Sequence, residues 1–154
     1  MRILYKIFNY DNIMRNIIIF ISLIFIQNLT YAQNNPDFYV ENGTCKCPDA
    51  NFNDTGSVTI EGELKTFTKR TKAQLSSLID ANYQNPGIEL TCTSGIYDMS
   101  YLFSNTGAFN QPLNHWDVSN VIDMSYMFKQ AYNFNQPIQN WDVSNVINMH
   151  SMFY

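Results

Sequence analysis

The sequence predicts an α/β solenoid built from strand-helix coils of about 25 residues, with an N-terminal cap made of a hairpin and a helix. The main observation is a segment that begins at Phe109 and returns almost unchanged at Phe134, and a weaker copy runs from Thr93 to Phe103. Repeats of this length are single supersecondary units that cannot bury their apolar face alone. We therefore expect neighbouring repeats to stack and to share one core.

Each repeat divides into a predicted strand and a predicted short helix. Trp116 and Val118 are expected to point inward from the strand, and the intervening Asp117 is expected to point outward. Ser119 or Asn120 is then suited to cap the helix, because a short polar side chain accepts a hydrogen bond from the free amides of the first turn. The coil length lies in the range of leucine-rich repeats.

The helical part of the repeat is predicted from apolar residues at positions i, i+3 and i+7, and the same face recurs in the next copy. Phe134, followed by Asn-Gln-Pro, is expected to fill the return loop. The predicted repeat core consists of the apolar positions Trp116, Val118, Val121, Met124, Phe128, Phe134, Trp141, Val143, Val146, Met149 and Phe153.

The chain divides into three predicted segments. Residues 1–32 are a signal peptide, residues 33–91 a lead-in and cap, and residues 92–154 about two and a half repeats of a truncated array. In the cap, alternation around Glu61-Gly62 predicts a hairpin, and Thr71 can cap a helix that follows. The lead-in up to about Asn53 is rich in turn residues and is expected to form no regular element.

The first segment carries the signs of export. Residues 17–26 are apolar but about half the roughly 20 residues needed to cross a bilayer. Basic residues precede this run, and a cut after Ala32 would follow small side chains, as in a signal peptide. Met1 and Met14 are both acceptable starts. The mature chain is expected to have no membrane span and to be secreted or held at the cell surface.

Charge restricts the class of partner. The chain has a formal net charge of -4, and its basic residues do not cluster outside positions 65–72, which we interpret as a solvated turn. Nucleic acid is therefore not an expected partner, because binding phosphate needs clustered Lys and Arg. The expected partner is an extracellular or host protein, and the open C-terminal coil also offers a route to self-association.

The three cysteines lie in or beside the predicted cap, and an exported protein meets an oxidising compartment. Cys45 and Cys47 are too close to pair, so Cys92 is expected to bond one of them, and both pairings stay open. A metal site would need a fourth ligand at suitable spacing, which neither His115 nor His150 provides. No metal, cofactor or catalytic residue is predicted.

Two further sets of side chains raise the question of a specific function, catalysis for one set and ligand binding for the other. Asp117 and Asp142 would stack about 5 Å apart, near the carboxylate separation of retaining glycosidases, but equivalent repeat positions supply both, so we interpret them as a ladder. The tyrosines are expected to be exposed and the tryptophans buried, and together they offer an aromatic surface for proteins or sugars. These aromatics are Tyr97, Tyr101, Tyr126, Tyr132, Trp116 and Trp141.

The strings Phe-Asn-Gln-Pro, Trp-Asp-Val-Ser-Asn-Val and Met-Ser-Tyr-Met-Phe resemble the repeat of the BspA-like leucine-rich repeat surface proteins, with 25-residue repeats as in mycoplasma surface lipoproteins. The resemblance covers residues 93–154. It implies a surface or secreted protein that takes part in adhesion or protein recognition, and it implies no enzyme. The chain has no cysteine just after the apolar run, so the lipid attachment of the mycoplasma members has no site here.

The predicted function is therefore an exported repeat protein that presents a surface for protein recognition or adhesion, without catalysis. An extracellular glycan-binding module is the first alternative, because tyrosine and asparagine recur on the expected surface. A structural spacer that carries a domain beyond the C-terminus is the second.

Overall fold

The computed structural model describes residues 35–154, and the predicted signal peptide lies outside the described residues. Within them the chain forms five strands and one helix. The strands are β1 (Tyr39–Glu41), β2 (Thr44–Lys46), β3 (Thr55–Ile60), β4 (Glu63–Lys69) and β5 (Thr91–Cys92), and the helix is α1 (Lys72–Ala81).

The lead-in contains a small hairpin, so the expectation of no regular element there is wrong. Strands β1 and β2 pair antiparallel, with Val40 opposite Cys45. The turn between them is Asn42-Gly43, and both residues have positive φ values of 51° and 77°. Asn-Gly is the residue pair that a two-residue turn of this kind favours, so the signal was present in the sequence.

A second hairpin and the helix follow. Strands β3 and β4 pair antiparallel around Glu61-Gly62, with Ile60 opposite Glu63, and β5 adds to β4 in parallel. Thr71 is the N-cap of α1: its hydroxyl accepts a hydrogen bond from the Gln74 amide, and the Gln74 side chain accepts one from the Thr71 amide. This reciprocal capping box satisfies two amide donors that an uncapped helix would leave free.

The predicted leucine-rich-repeat-like solenoid of strand-helix coils is wrong. Beyond Cys92 the described residues contain no further strand or helix; they consist of turns and isolated bridges, such as the one between Asp98 and Asp123. The predicted helical segments are only about eight residues long, too short to nucleate a helix readily. In addition, Tyr101 and Tyr126 have φ values of 59° and 55°, outside the helical region.

Backbone hydrogen bonds between repeats take the place of the helix. Within residues 99–105, the amides of Met99, Tyr101, Phe103 and Asn105 donate to carbonyls 24 residues later, at 2.8–3.0 Å. The same pattern recurs one repeat on, where the amide donors are Met124, Tyr126, Phe128 and Gln130. The intervening amides close local turns instead, as when Leu102 donates to the Met99 carbonyl. Alternate amides therefore serve the neighbouring repeat and the local turn.

Aromatic side chains stack along the repeats inside this backbone frame. The Phe103 ring lies 4.2 Å from Phe109 and 5.3 Å from Phe128, and Phe128 lies 5.3 Å from Phe153, measured between centroids. Phe103 and Phe109 are fully buried. Offset ring stacks of this kind contribute about 0.5–1.5 kcal/mol beyond the apolar area they bury.

The left-handed residues of the repeats should resist β-branched substitution. Asn105 has a φ of 65°, where a branched Cβ is most strained. We expect Asn105→Val to lower the free energy of unfolding by about 1–2 kcal/mol more than Ser104→Val does. Urea unfolding of both variants measures the difference, and equal losses would show that the left-handed backbone at residue 105 carries no strain for a branched side chain.

Candidate functional site

Asp117 is the centre of a buried polar junction between β2 and the repeats. Its carboxylate accepts hydrogen bonds from the Lys46 ammonium at 2.6 Å, the Ser94 hydroxyl at 2.6 Å and the Ser119 hydroxyl at 2.7 Å. The side chain of Asp117 is 4% exposed and that of Lys46 is 13% exposed. The expectation that Asp117 points outward is wrong, because Lys46 and the two serines draw its carboxylate inward.

The junction holds Asp117 in its charged form. Burial by itself raises the pKa of Asp117, but the hydrogen bonds from Lys46, Ser94 and Ser119 outweigh burial and leave the pKa below its ordinary value. Asp142 occupies the same position one repeat later, is exposed, and bonds the Ser144 amide. The two aspartates therefore differ in surroundings, and Asp117 directs its lone pairs to protein donors rather than to an open cleft.

The cysteines lie beside this junction. A disulfide joins Cys47 to Cys92, and the Cys47 amide donates to the Ser94 hydroxyl, which itself donates to Asp117. Cys45 is a free, fully buried thiol. Burial, followed by the nearby charge of Asp117, raises the pKa of Cys45 to about 12. A thiol with that pKa is almost never a thiolate at neutral pH and cannot attack the neighbouring disulfide.

Only part of the predicted repeat core is buried. Buried members are Trp116, Val118, Val121, Met124, Phe128 and Trp141, and half-buried members are Phe134 and Val146. The prediction is wrong for Val143, Met149 and Phe153, which are 40%, 43% and 61% exposed, because within residues 35–154 no repeat packs over them.

Each tryptophan donates an indole hydrogen bond to a backbone carbonyl earlier in the chain. The indole N–H of Trp116 donates to the Glu89 carbonyl at 3.3 Å, and that of Trp141 donates to the Leu113 carbonyl at 2.8 Å. Both rings are buried, so they belong to the core rather than to a surface.

Three of the four tyrosines expected at the surface are exposed, and Tyr126 is half-buried. Tyr97, Tyr101 and Tyr132 are 60%, 55% and 79% exposed. The rings of Tyr101 and Tyr126 stack with centroids 4.7 Å apart and planes at 18°, and His150 meets the Tyr126 ring edge-on. Because Tyr101 and Tyr126 stack, one face of each ring is covered by the other ring.

Neither a metal centre nor a membrane segment is found in residues 35–154. These residues contain no group of three His, Cys, Asp or Glu side chains that could hold a metal ion. His115 is buried, its ring nitrogen bonds the Glu89 carbonyl, and burial lowers its pKa. No helix in the same part of the chain has the length and hydropathy to cross a bilayer.

Residues 73–154 match the model of a family described as Mycoplasma protein of unknown function, DUF285. The chain belongs to this family. The DUF285 match starts within α1 and includes β5 and every repeat, together with Asp117 and Cys92, whereas Lys46 and Cys47 lie before it. No curated protein and no solved structure matches the chain.

The Asp117 junction should be required for stability. Asp117→Asn leaves the Lys46 ammonium buried without its counter-charge, so we expect the free energy of unfolding to fall by about 3–5 kcal/mol. Asp142→Asn is the matched control, because it changes the same repeat position where the side chain is exposed, and it should leave the free energy of unfolding nearly unchanged. Urea denaturation checks both, and similar losses in the two variants would contradict a special role for Asp117.

The same pair of variants gives a pH test. The pKa of Asp117 is lower in the folded chain than in the unfolded chain, so its stabilising contribution is complete above the ordinary Asp range of about 4 and is lost as pH falls through the folded pKa. We therefore expect the free energy of unfolding to fall less steeply with decreasing acidic pH in Asp117→Asn than in Asp142→Asn.

The Cys45 thiol should not react with alkylating reagents in the folded protein. We expect no labelling by N-ethylmaleimide at neutral pH until denaturant exposes residue 45, because the thiol is buried and protonated. Mass spectrometry of the labelled, unreduced chain locates the adduct. Rapid labelling of Cys45 in the native protein, or adducts on Cys47 or Cys92, would contradict the assignment of the free thiol.

Proposed function

We propose that this chain is an exported protein of the cell surface or extracellular space, whose repeats bind other proteins and perform no catalysis. The main support is the outer surface of the repeats, where large aromatic and aliphatic side chains such as Tyr97, Tyr101 and Ile122 stay exposed. Exposed apolar surface of this kind marks interaction sites, and Tyr is enriched among the residues that dominate protein interfaces.

Two features of the chain favour export. The apolar run of residues 17–26 and the small residues before position 33 fit a cleaved signal peptide. The Cys47–Cys92 disulfide fits an oxidising compartment, where such bonds persist. The resemblance of the repeats to BspA-like surface proteins agrees with this location and is part of the proposal.

Glycan binding receives less support than protein binding. Sugars stack on open aromatic faces, whereas the rings of Tyr101 and Tyr126 lie against each other. Residues 35–154 offer no metal cluster that could assist a sugar ligand. The spacer alternative leaves the exposed apolar side chains of the repeats without a role.

Export is tested by expressing the full chain in a secreting host. We expect the secreted protein to start at Gln33, as intact mass and N-terminal sequencing would show. Ala32→Tyr should block processing because the cleavage site requires a small residue at this position, whereas Asn35→Tyr should not. Retention of residues 1–32 in the secreted protein would contradict the proposed signal peptide.

Protein recognition is tested with the secreted protein on intact animal or bacterial cells. Binding that protease treatment of the cells removes, and that glycosidases leave unchanged, is the expected result. Binding that only glycosidases remove would support the glycan alternative, and saturable binding to neither surface would contradict recognition.

A further inference from the structure

The basic side chains of the described residues are all occupied within the fold. Residues 35–154 contain twelve acidic and six basic side chains. Three lysines form ion pairs with carboxylates: Lys46, Lys65 and Lys72. Two bases, Lys69 and Arg70, donate hydrogen bonds to backbone carbonyls. The sixth base, Lys129, places its ammonium over aromatic rings. The solvated turn expected for residues 65–72 is therefore wrong, because Lys69 is buried and bonds the carbonyls of Pro48 and Ala50.

The outer surface of this part of the chain is consequently negative. The carboxylates outside the ion pairs are exposed or half-buried, and on the repeats they are the exposed Asp142 and the half-buried Asp123. A surface potential of one sign attracts partners of the opposite sign and speeds their association. Charge complementarity therefore favours a basic partner over an acidic or neutral one.

An apolar row runs across the repeats on this negative part of the chain. Tyr97, Ile122 and Ile147 occupy the same position in successive repeats and are 60%, 45% and 84% exposed. Their backbones are joined in register: the Ile122 amide donates to the Tyr97 carbonyl at 2.7 Å, and the Ile147 amide donates to the Ile122 carbonyl at 2.8 Å. The three side chains therefore leave the backbone at the spacing of adjacent chains, about 4.8 Å. Asp123 follows Ile122 directly in the sequence.

The row ends upstream in a cleft of about 280 Å³. Its apolar wall includes Phe52, Ile96 and Tyr97, and the Lys72–Asp98 ion pair, 2.8 Å between the charged atoms, lies at its side. Pockets that enclose a whole small-molecule ligand usually measure about 300–1,000 Å³. This cleft is at or below the lower limit and is open, so it suits one large side chain of a longer partner.

We propose that the row and the cleft together form the docking face of the protein, and that its occupant is an extended, basic segment of a partner protein. One large apolar side chain of that segment fills the cleft, further apolar side chains contact Ile122 and Ile147, and flanking Lys or Arg residues face the carboxylates. This inference rests on the proposed function and specifies the surface and the chemistry of the partner.

The test measures fluorescence anisotropy of labelled synthetic peptides with the secreted protein. The probe is a short peptide of alternating Lys and Leu, compared with peptides of the same length built from Lys and Ser or from Glu and Leu. We expect the Lys-Leu peptide to bind most tightly and to weaken as salt is added. Equal binding of the Lys-Ser peptide would overturn the apolar part of the proposal, and equal binding of the Glu-Leu peptide would overturn the charge part.

Substitutions then locate the face. Tyr97→Ser and Ile122→Ser should each weaken Lys-Leu peptide binding by about fivefold or more, the usual effect of truncating an important contact residue. Their matched controls are Tyr132→Ser and Leu64→Ser, whose side chains are also exposed but lie near Gly107 and in the β3–β4 hairpin respectively, and they should leave affinity unchanged. Urea unfolding confirms that all four variants are folded.

The outcomes separate this inference from the proposed function. If the row variants lose peptide binding and protease-sensitive cell binding together, the docking face is supported. If cell binding persists in Tyr97→Ser and Ile122→Ser, recognition stands and the face is wrong. If no peptide binds but cell binding remains, the basic-segment chemistry is wrong. Binding of the protein to anionic or neutral lipid vesicles through the same row would overturn a protein partner.

Discussion

Each repeat divides its backbone N–H groups between two uses, and the rest of the molecule depends on that division. Within residues 99–105 and 124–130, alternate amides donate to the repeat that follows and the others close local turns, while the Ile122 and Ile147 amides donate to the repeat before. Buried amides without partners would cost far more than the chain could recover elsewhere. Residues with positive φ, such as Tyr101 and Asn105, direct successive amides to these separate acceptors. The Phe103–Phe128 stack and the exposed row at Tyr97 both follow from the register that these bonds impose.

The first repeat also needs a connection to the strands that precede it. The buried pair of Lys46 and Asp117 provides it, helped by the Cys47–Cys92 disulfide and by the amide of Cys45, which donates to the His115 carbonyl at 2.7 Å. A buried ion pair is often no more stabilising than apolar packing, but losing one partner is strongly destabilising because the other charge stays buried and unpaired. An arrangement of the junction that separates Lys46 from Asp117 would carry that cost.

Short-range sequence signals predicted this structure better than the similarity between the repeats did. The alternation around Glu61-Gly62 and the Thr71 cap placed a hairpin and a helix where the chain has them, because both are determined by a few neighbouring residues. The strand-helix coil was wrong because the apolar period of the repeat fits a chain of turns as well as a helix. The positive φ values at Tyr101 and Tyr126 and the backbone bonds between repeats distinguish the two structures. Asp117 could not be placed, since its partner Lys46 is 71 residues away and nothing near either residue indicates the other.

The bonds between repeats also fix the register of the stack from both sides. The Met99 and Tyr101 amides donate to later residues, whereas the Ile122 and Asp123 amides donate back to the Tyr97 carbonyl. The bonds therefore run in both directions, and the peptide dipoles do not add along the stack as they do along a helix axis. Because each repeat offers its neighbour donors and acceptors together, a shift of one residue between repeats would break bonds of both directions at once.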